Sequence, residues 1–294
     1  MRKFMLPALA ATLLLFTGNA FAAEIRLCTG SATGVYYAAG ESIKAFAGQS
    51  VPIRNVETDG TIDNLERVLD LAPTDPKACD AMIGQPDGPV YIARQSPAKV
   101  KKLRKIVDLH TEYLHVLCNK ASGVDDLTDL AGNTKYTLDV GVAGSGAWLI
   151  WQNIIAEDSS YANVPPKNEG GMLALSSVAA GDTTCMLAPS GLRTGIVLEA
   201  DNTFGDKVTL AAADDNDFVK ATDAKGEKVY SFADIPKRTY GKSLQTGFFG
   251  GAVKTITWNA GVYVNTDRVD PAILPKLIRE VSRAALQIKA EYSK

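Results

Sequence analysis

Apolar and polar positions follow two recurring patterns along this chain: short apolar runs of the kind that form buried strands, and stretches with apolar residues three and four apart, the period of a helix. Ile25 to Thr29 reads as a strand, followed by Gly30-Ser31-Ala32-Thr33-Gly34 and a helix with Tyr37, Ile43 and Phe46 on its apolar face. Val51 to Val56 predicts a second strand. Ile62 to Leu69 predicts a helix with Thr61 as its N-cap, since a threonine hydroxyl accepts a bond from an orphan amide. A loop over 72–78 leads into a third strand, Cys79 to Ile83, which ends at Gln85-Pro86-Asp87-Gly88. Lys99, Lys101, Lys102, Arg104 and Lys105 read as the solvated face of a short helix capped by Ser96-Pro97. From Lys105 to Asn119 the pattern predicts two strands broken by the polar segment 108–112, and Tyr113 to Cys118 is the expected first crossover between lobes.

The second half repeats the scheme. A strand over 135–142 enters Gly141-Val142-Ala143-Gly144-Ser145-Gly146 and opens a helix near Ala147. Residues 171–180 form a helical pattern with Met172, Leu173, Leu175 and Val178 expected inward, and strand 183–188 ends at Pro189-Ser190-Gly191. Val208 to Ala213 is a further strand, 214–226 a surface excursion, Thr255 to Val264 a strand returning to the first lobe, and Asp270-Pro271 opens a last helix running to about Tyr292. Strands alternating with helices define an α/β protein. The repeated scheme predicts two lobes, residues 24–119 with 253–294 and residues 120–252, joined by crossover strands with hinges near 118–121 and 250–255. In open α/β sheets, ligands bind at the carboxyl ends of the strands.

Chemistry enters at the glycine turns. A strand that turns through glycines into a helix aims unpaired amides at one point, where the helix dipole adds partial positive charge. Gly144, Ser145 and Gly146 therefore form a candidate anion seat. Residues 1–23, with Arg2, Lys3, an apolar run from Leu6 to Phe16 and Ala20-Phe21-Ala22, read as a secretory signal peptide. The formal net charge of −2 and the lack of a dense basic cluster argue against nucleic acid as a partner. The four cysteines, Cys28, Cys79, Cys118 and Cys185, allow three pairings in an oxidising compartment, with buried free thiols as the alternative. If one bridge forms, Cys79 with Cys118 is favoured, both being expected in the first lobe. The cysteine spacing fits no zinc site, and neither a metal nor a cofactor is expected.

Thr29-Gly30-Ser31 with Gly34-Val35-Tyr36-Tyr37, the segment Thr58 to Leu65, Asp126 to Gly132, and Val140 to Gly146 run in an order that resembles the TAXI-type solute receptors of tripartite ATP-independent periplasmic (TRAP) transporters. The resemblance covers essentially the whole chain after the signal peptide. It implies a type II periplasmic binding protein fold with a central cleft, in a monomeric periplasmic receptor. That receptor would capture a small organic anion, a dicarboxylate or an acidic amino acid such as glutamate, for sodium-driven TRAP permease subunits. Carried over residue by residue, it implies ligand contacts at Thr29, Ser31, Tyr36, Tyr37, Thr58, Gln85, Asp87, Gly144, Ser145, Gly146 and Ser190. The chain departs from the family pattern at Asp59 and Thr61, where glycine and serine are usual, and at Ala147, where threonine is common.

Three other readings compete. A serine hydrolase using Ser145 needs a histidine base after the nucleophile, but His110 and His115 both precede it. His115, alternating with apolar neighbours, reads as a hydrogen-bonded core residue. Dinucleotide binding through Gly30, Gly34 and Glu57 lacks the Gly-x-Gly-x-x-Gly spacing. An exported receptor that reports to a membrane sensor would share the same cleft chemistry.

Overall fold

The computed structural model describes residues 24–241, 244–245 and 251–292; the signal-peptide reading of 1–23 lies outside them, as does Gly250 of the second expected hinge. In the first part of the chain are β1 (Ile25–Cys28), α1 (Val35–Ala47), β2 (Ile53–Val56), α2 (Thr61–Leu69), β3 (Ala81–Gly84), α3 (Asp87–Gln95), the short α4 (Pro97–Val100) and the long β4 (Leu103–Asn119). Then come β5 (Leu138–Asp139), α5 (Gly146–Glu157), β6 (Pro166–Lys167), α6 (Gly171–Ala180), β7 (Cys185–Ser190), α7 (Gly195–Thr203), β8 (Val208–Ala211) and β9 (Ser231–Ile235). β10 (Val253–Asn265) and α8 (Leu274–Tyr292) complete the fold.

One curled mixed sheet has the order β2-β1-β3-β10-β4-β7-β5-β6, with β8 added to β4 and β9 to β10. β1 pairs in parallel with β2 and β3, and β10 inserts antiparallel between β3 and β4. β4 changes neighbours along its length: its first part pairs β10 as far as Tyr113, and from Tyr113 onward it pairs β7. The cores divide in the same way. Leu27, Ile43, Ile53, Ile83, Val262, Leu277 and Ile288 belong to one cluster, in which α1 and α8 cover the β1–β3–β10 side. Leu114, Leu138, Ile150, Trp151, Leu187 and Phe218 belong to another, under α5, and Leu117, Leu175, Val178 and Met186 form a third. In α8, the buried Leu277, Val281, Ala284, Ala285 and Ile288 recur three and four apart, the stripe by which a helix docks on a sheet.

Several expectations are corrected. Residues 103–119 form one strand, not two: β10 and then β7 pair it from Leu103 to Cys118, with a register shift between Asp108 and Thr111 absorbed within the strand. The basic helix is only Pro97–Val100, its Ser96 side chain makes no cap, and Arg104 and Lys105 belong to β4. Gly60, at φ 113°, is the N-cap of α2; the Thr61 hydroxyl instead accepts from the Gln85 amide at 3.2 Å. On α6, Met172 and Leu173 are exposed while Ala174, Leu175, Val178 and Ala179 are buried. The strand expected over 135–142 shortens to Leu138–Asp139.

The cysteine expectation is overturned twice, since all four are bridged: Cys28 to Cys79 and Cys118 to Cys185. Cys79 precedes β3, which runs beside β1 and brings it to Cys28, whereas Cys118 faces Cys185 in register across β4 and β7.

Candidate functional site

The glycine-rich turn before α5 is held from behind by one buried carboxylate. Asp139, with no exposed surface, accepts from the amides of Gly141 at 2.9 Å, Glu169 at 2.8 Å and Gly170 at 3.0 Å. Gly141 and Gly144 have φ of 74° and 86°, a backbone region that favours glycine. Ser145 is the N-cap of α5, its hydroxyl accepting from the Trp148 amide at 3.3 Å, and the first turn of the helix has no acidic residue. The positive end of α5 is thus uncompensated from within its own first turn.

The loop after β3 is set against that turn. A Cβ placed on Gly146 would lie 2.8 Å from Gln85 Oε1, and one on Gly144 3.8 Å from the Ile62 Cβ. Gln85 is 3% exposed, and its Oε1 has no hydrogen-bond partner among the described residues. Behind it, Asn64 spans the ends of β1 and β3, donating to Thr29 O at 2.7 Å and Ile83 O at 2.8 Å. Thr29 is fully buried, with its hydroxyl against Asn55 and Val56. The Thr58 amide donates to Gly30 O at 3.2 Å, and the Thr58 hydroxyl accepts from Gly60. Thr29, Thr58, Gln85 and Gly146 therefore lie along one chain of contacts, in which the two threonine hydroxyls serve neighbouring backbone. Ser31 is exposed at the tip of the first turn and half-buried Tyr37 holds Asn55 through its carbonyl. Asp59 and Arg193 are exposed.

Tyr36 and Asp87 belong to a buried cluster of acids and aromatics. The Tyr36 hydroxyl donates to Glu112 at 2.9 Å, and the Trp258 indole donates to the same oxygen at 2.7 Å. Asp87, with no exposed surface, accepts from the Tyr230 hydroxyl, while its other oxygen is unpartnered among the described residues. Burial lifts the Asp87 carboxyl to about 7, against the pull of the Tyr230 hydrogen bond. Burial also holds the Tyr36 and Tyr230 phenols well above their usual range, and the neighbouring carboxylates push in the same direction. Glu112, Tyr230 and Trp258 were not among the residues expected from sequence. No local signal marks Glu112, because its partners Tyr36 and Trp258 come from distant segments.

Ser190 is carried elsewhere. It pairs with Tyr113 and so lies on the face of β4 opposite Glu112, where its hydroxyl is 3.3 Å from His115 Nδ1. His115 is buried; its Nδ1 is 3.2 Å from Ala188 O and its Nε2 is 2.8 Å from the Tyr240 hydroxyl. Since only N–H can satisfy the carbonyl, Nδ1 carries the proton and Tyr240 donates to Nε2. Burial lowers this imidazole to about 4. A neutral ring with its proton already facing Ser190 cannot take one from it, and neither histidine bonds Ser145 among the described residues.

With this geometry in view, several solved structures are similar. A protein of Bordetella bronchiseptica RB50 is 12% identical, with a TM-score of 0.52, over 90% of this chain and 70% of that one. A periplasmic sulfonate-binding protein of Methylobacillus flagellatus KT is 11% identical, at 0.48, over 91% and 68%. A TctC solute binding protein from Polaromonas is 14% identical, at 0.47, over 92% and 85%. The likeness to the Bordetella structure is one of fold, an α/β architecture with a curled mixed sheet and helices on its faces. The model of the NMT1-like family matches residues 27–273, and the chain belongs to that family. No curated protein matches.

Proposed function

We propose that this chain is a periplasmic solute receptor that holds a small organic anion, a dicarboxylate or an acidic amino acid such as glutamate, between two lobes and delivers it to sodium-driven TRAP permease subunits. The observation that carries the reading is the Gly144-Ser145-Gly146 turn at the start of α5, braced by Asp139 and faced by Gln85 from the loop after β3. Amides at a helix start bind carboxylates without help from a cation. The Ser145 hydroxyl, which accepts from Trp148, still has its own hydrogen to donate. The lobes pivot where β4 and β10 change neighbours, near Tyr113 and Thr257. Closure brings Gln85 onto the turn, and a ligand drives closure to the extent that it binds the closed form better.

Titration calorimetry against succinate, malate, aspartate and glutamate tests this reading. One class is expected to bind, and Gly146→Val, which puts a branched side chain where Gln85 sits, to weaken it by at least about tenfold, or 1.4 kcal/mol. A panel without binding, or affinity unchanged in Gly146→Val, would overturn the assignment.

A further inference from the structure

A separate cavity of about 380 Å³ lies beside the β4–β10 crossing, between Pro86 and the segment 219–232. Tyr230, Phe232 and Trp258 line it, with Asp108, Asp223 and Glu227 as its carboxylates. Lys105 and Lys228 also reach it, which leaves the lining with three acids against two bases. Lys105 is held by Asp108 at 3.0 Å. None of the residues assigned above to the anion seat lines it. The rings are unusual in what stands behind them. Tyr230 gives its hydroxyl hydrogen to Asp87, and Trp258 gives its indole hydrogen to Glu112, both carboxylates being buried. The bond to the Glu112 carboxylate returns electron density to the Trp258 ring and deepens the negative potential over its face, which is what attracts a cation. The rings of Tyr230 and Trp258 meet edge to face at 5.8 Å, so their π faces point in different directions. Phe232 already carries an ammonium, Lys254 Nζ, 4.7 Å from its centroid.

We propose that this cavity is a binding site for an alkylated organic ammonium ion, seated on Tyr230, Phe232 and Trp258 and compensated by Asp223 and Glu227. The volume exceeds what a bare ion fills, and no cluster suited to a metal occurs among the described residues. Aromatic walls favour a cation whose charge is spread over methyl or methylene groups over a strongly hydrated one. The same negative lining disfavours a carboxylate, so this site and the seat on α5 select opposite charges. The proposal does not depend on the receptor reading.

The probe is tetramethylammonium chloride, titrated into the chain and followed by calorimetry, with sodium chloride as the ionic-strength control and sodium acetate as the opposite charge. Saturable binding of tetramethylammonium alone is expected. It should weaken about tenfold in Phe232→Leu, which keeps an apolar side chain, and about threefold in Glu227→Gln, an exposed position that leaves the fold intact. Gly146→Val should leave it unchanged, so loss of the anion seat and loss of this site are read separately. Absence of saturable binding, equal binding of acetate, or affinity unaltered in both variants would overturn it.

Discussion

The two strand–turn–helix units of this chain are alike in outline and opposite in how they treat their amides. In the first, the Ala32 amide donates to the Glu57 carboxylate at 2.9 Å, so an internal anion already stands at the turn, and Gly34 begins α1 with no side-chain cap. In the second, the carboxylate is Asp139, placed behind the turn and below the surface, where it fixes Gly141 and the neighbouring 169–170 loop, and the first turn of α5 holds no acid. The position of one acid thus separates a turn with a carboxylate in front of its amides from one with the carboxylate behind them. The loops after β3 and β7 differ as well. One presents a buried acid, Asp87, lifted by burial to about 7; behind the other lies a buried base, His115, lowered by burial to about 4.

Removing the hidden acid is the strongest way to break this comparison. Asp139→Ala leaves three amides without their charged acceptor and should cost about 4 kcal/mol of unfolding free energy, measured by urea denaturation, since hydrogen bonds to charged groups contribute about 1.5–3 kcal/mol each and do not add fully. The disulfides test whether the two units are nonetheless stapled equally. They close intervals of 51 and 67 residues, for which chain entropy gives about 4 kcal/mol apiece, so Cys28→Ala/Cys79→Ala and Cys118→Ala/Cys185→Ala should destabilise by similar amounts.

The buried acid and base give slopes of opposite sign with pH. Asp87 titrates near 7 in the fold and near 3.9 unfolded, so its contribution is greatest in acid and is lost as pH rises from about 4 to about 7. His115, near 4 in the fold and near 6.5 unfolded, works the other way: its contribution is complete above about 6.5 and is lost as pH falls toward 4. Asp87→Asn should remove the first slope and raise stability at pH 8 by about 2–4 kcal/mol, while stability still falls on acidification to pH 5. Urea midpoints at the two pH values check it, and a variant no more stable than the parent at pH 8 would contradict it. The smallest effect is expected at Glu57→Ala. It should change stability by less than about 1 kcal/mol, because an exposed carboxylate–amide contact contributes little, yet it should open the first turn to a weak added anion such as acetate, detectable by amide chemical shifts at Ala32.

How much was legible in the residues follows from the range of the forces involved. The strand–glycine–helix units are local, and Gly141, Gly144 and Ser145 announced theirs through turn and cap chemistry. The alternation of strands and helices gave the fold class for the same reason. β4 reads as two strands in the sequence because its polar stretch includes Glu112, whose partners Tyr36 and Trp258 lie in no window around it. Cysteine pairing failed on the same ground, since the partner of Cys118 depends on which strand lies beside β4 past Tyr113. Met172 and Leu173 fit a helical period, but period alone does not say which side of α6 meets the sheet. Asp139 gave no warning, because an acid at a strand end looks like any solvated residue until three amides converge on it.

The order of the disulfides has a consequence for how the chain is made. The first cysteine pairs with the second and the third with the fourth. In a chain exported amino end first into an oxidising space, as the proposed function requires, each odd-numbered thiol waits only for the next one to arrive. Oxidation in order of emergence therefore produces the native bridges directly, and a disulfide isomerase has no misjoined pair to correct. Maturation should then be limited by the oxidant and insensitive to loss of an isomerase, a property set by where four residues fall along the chain.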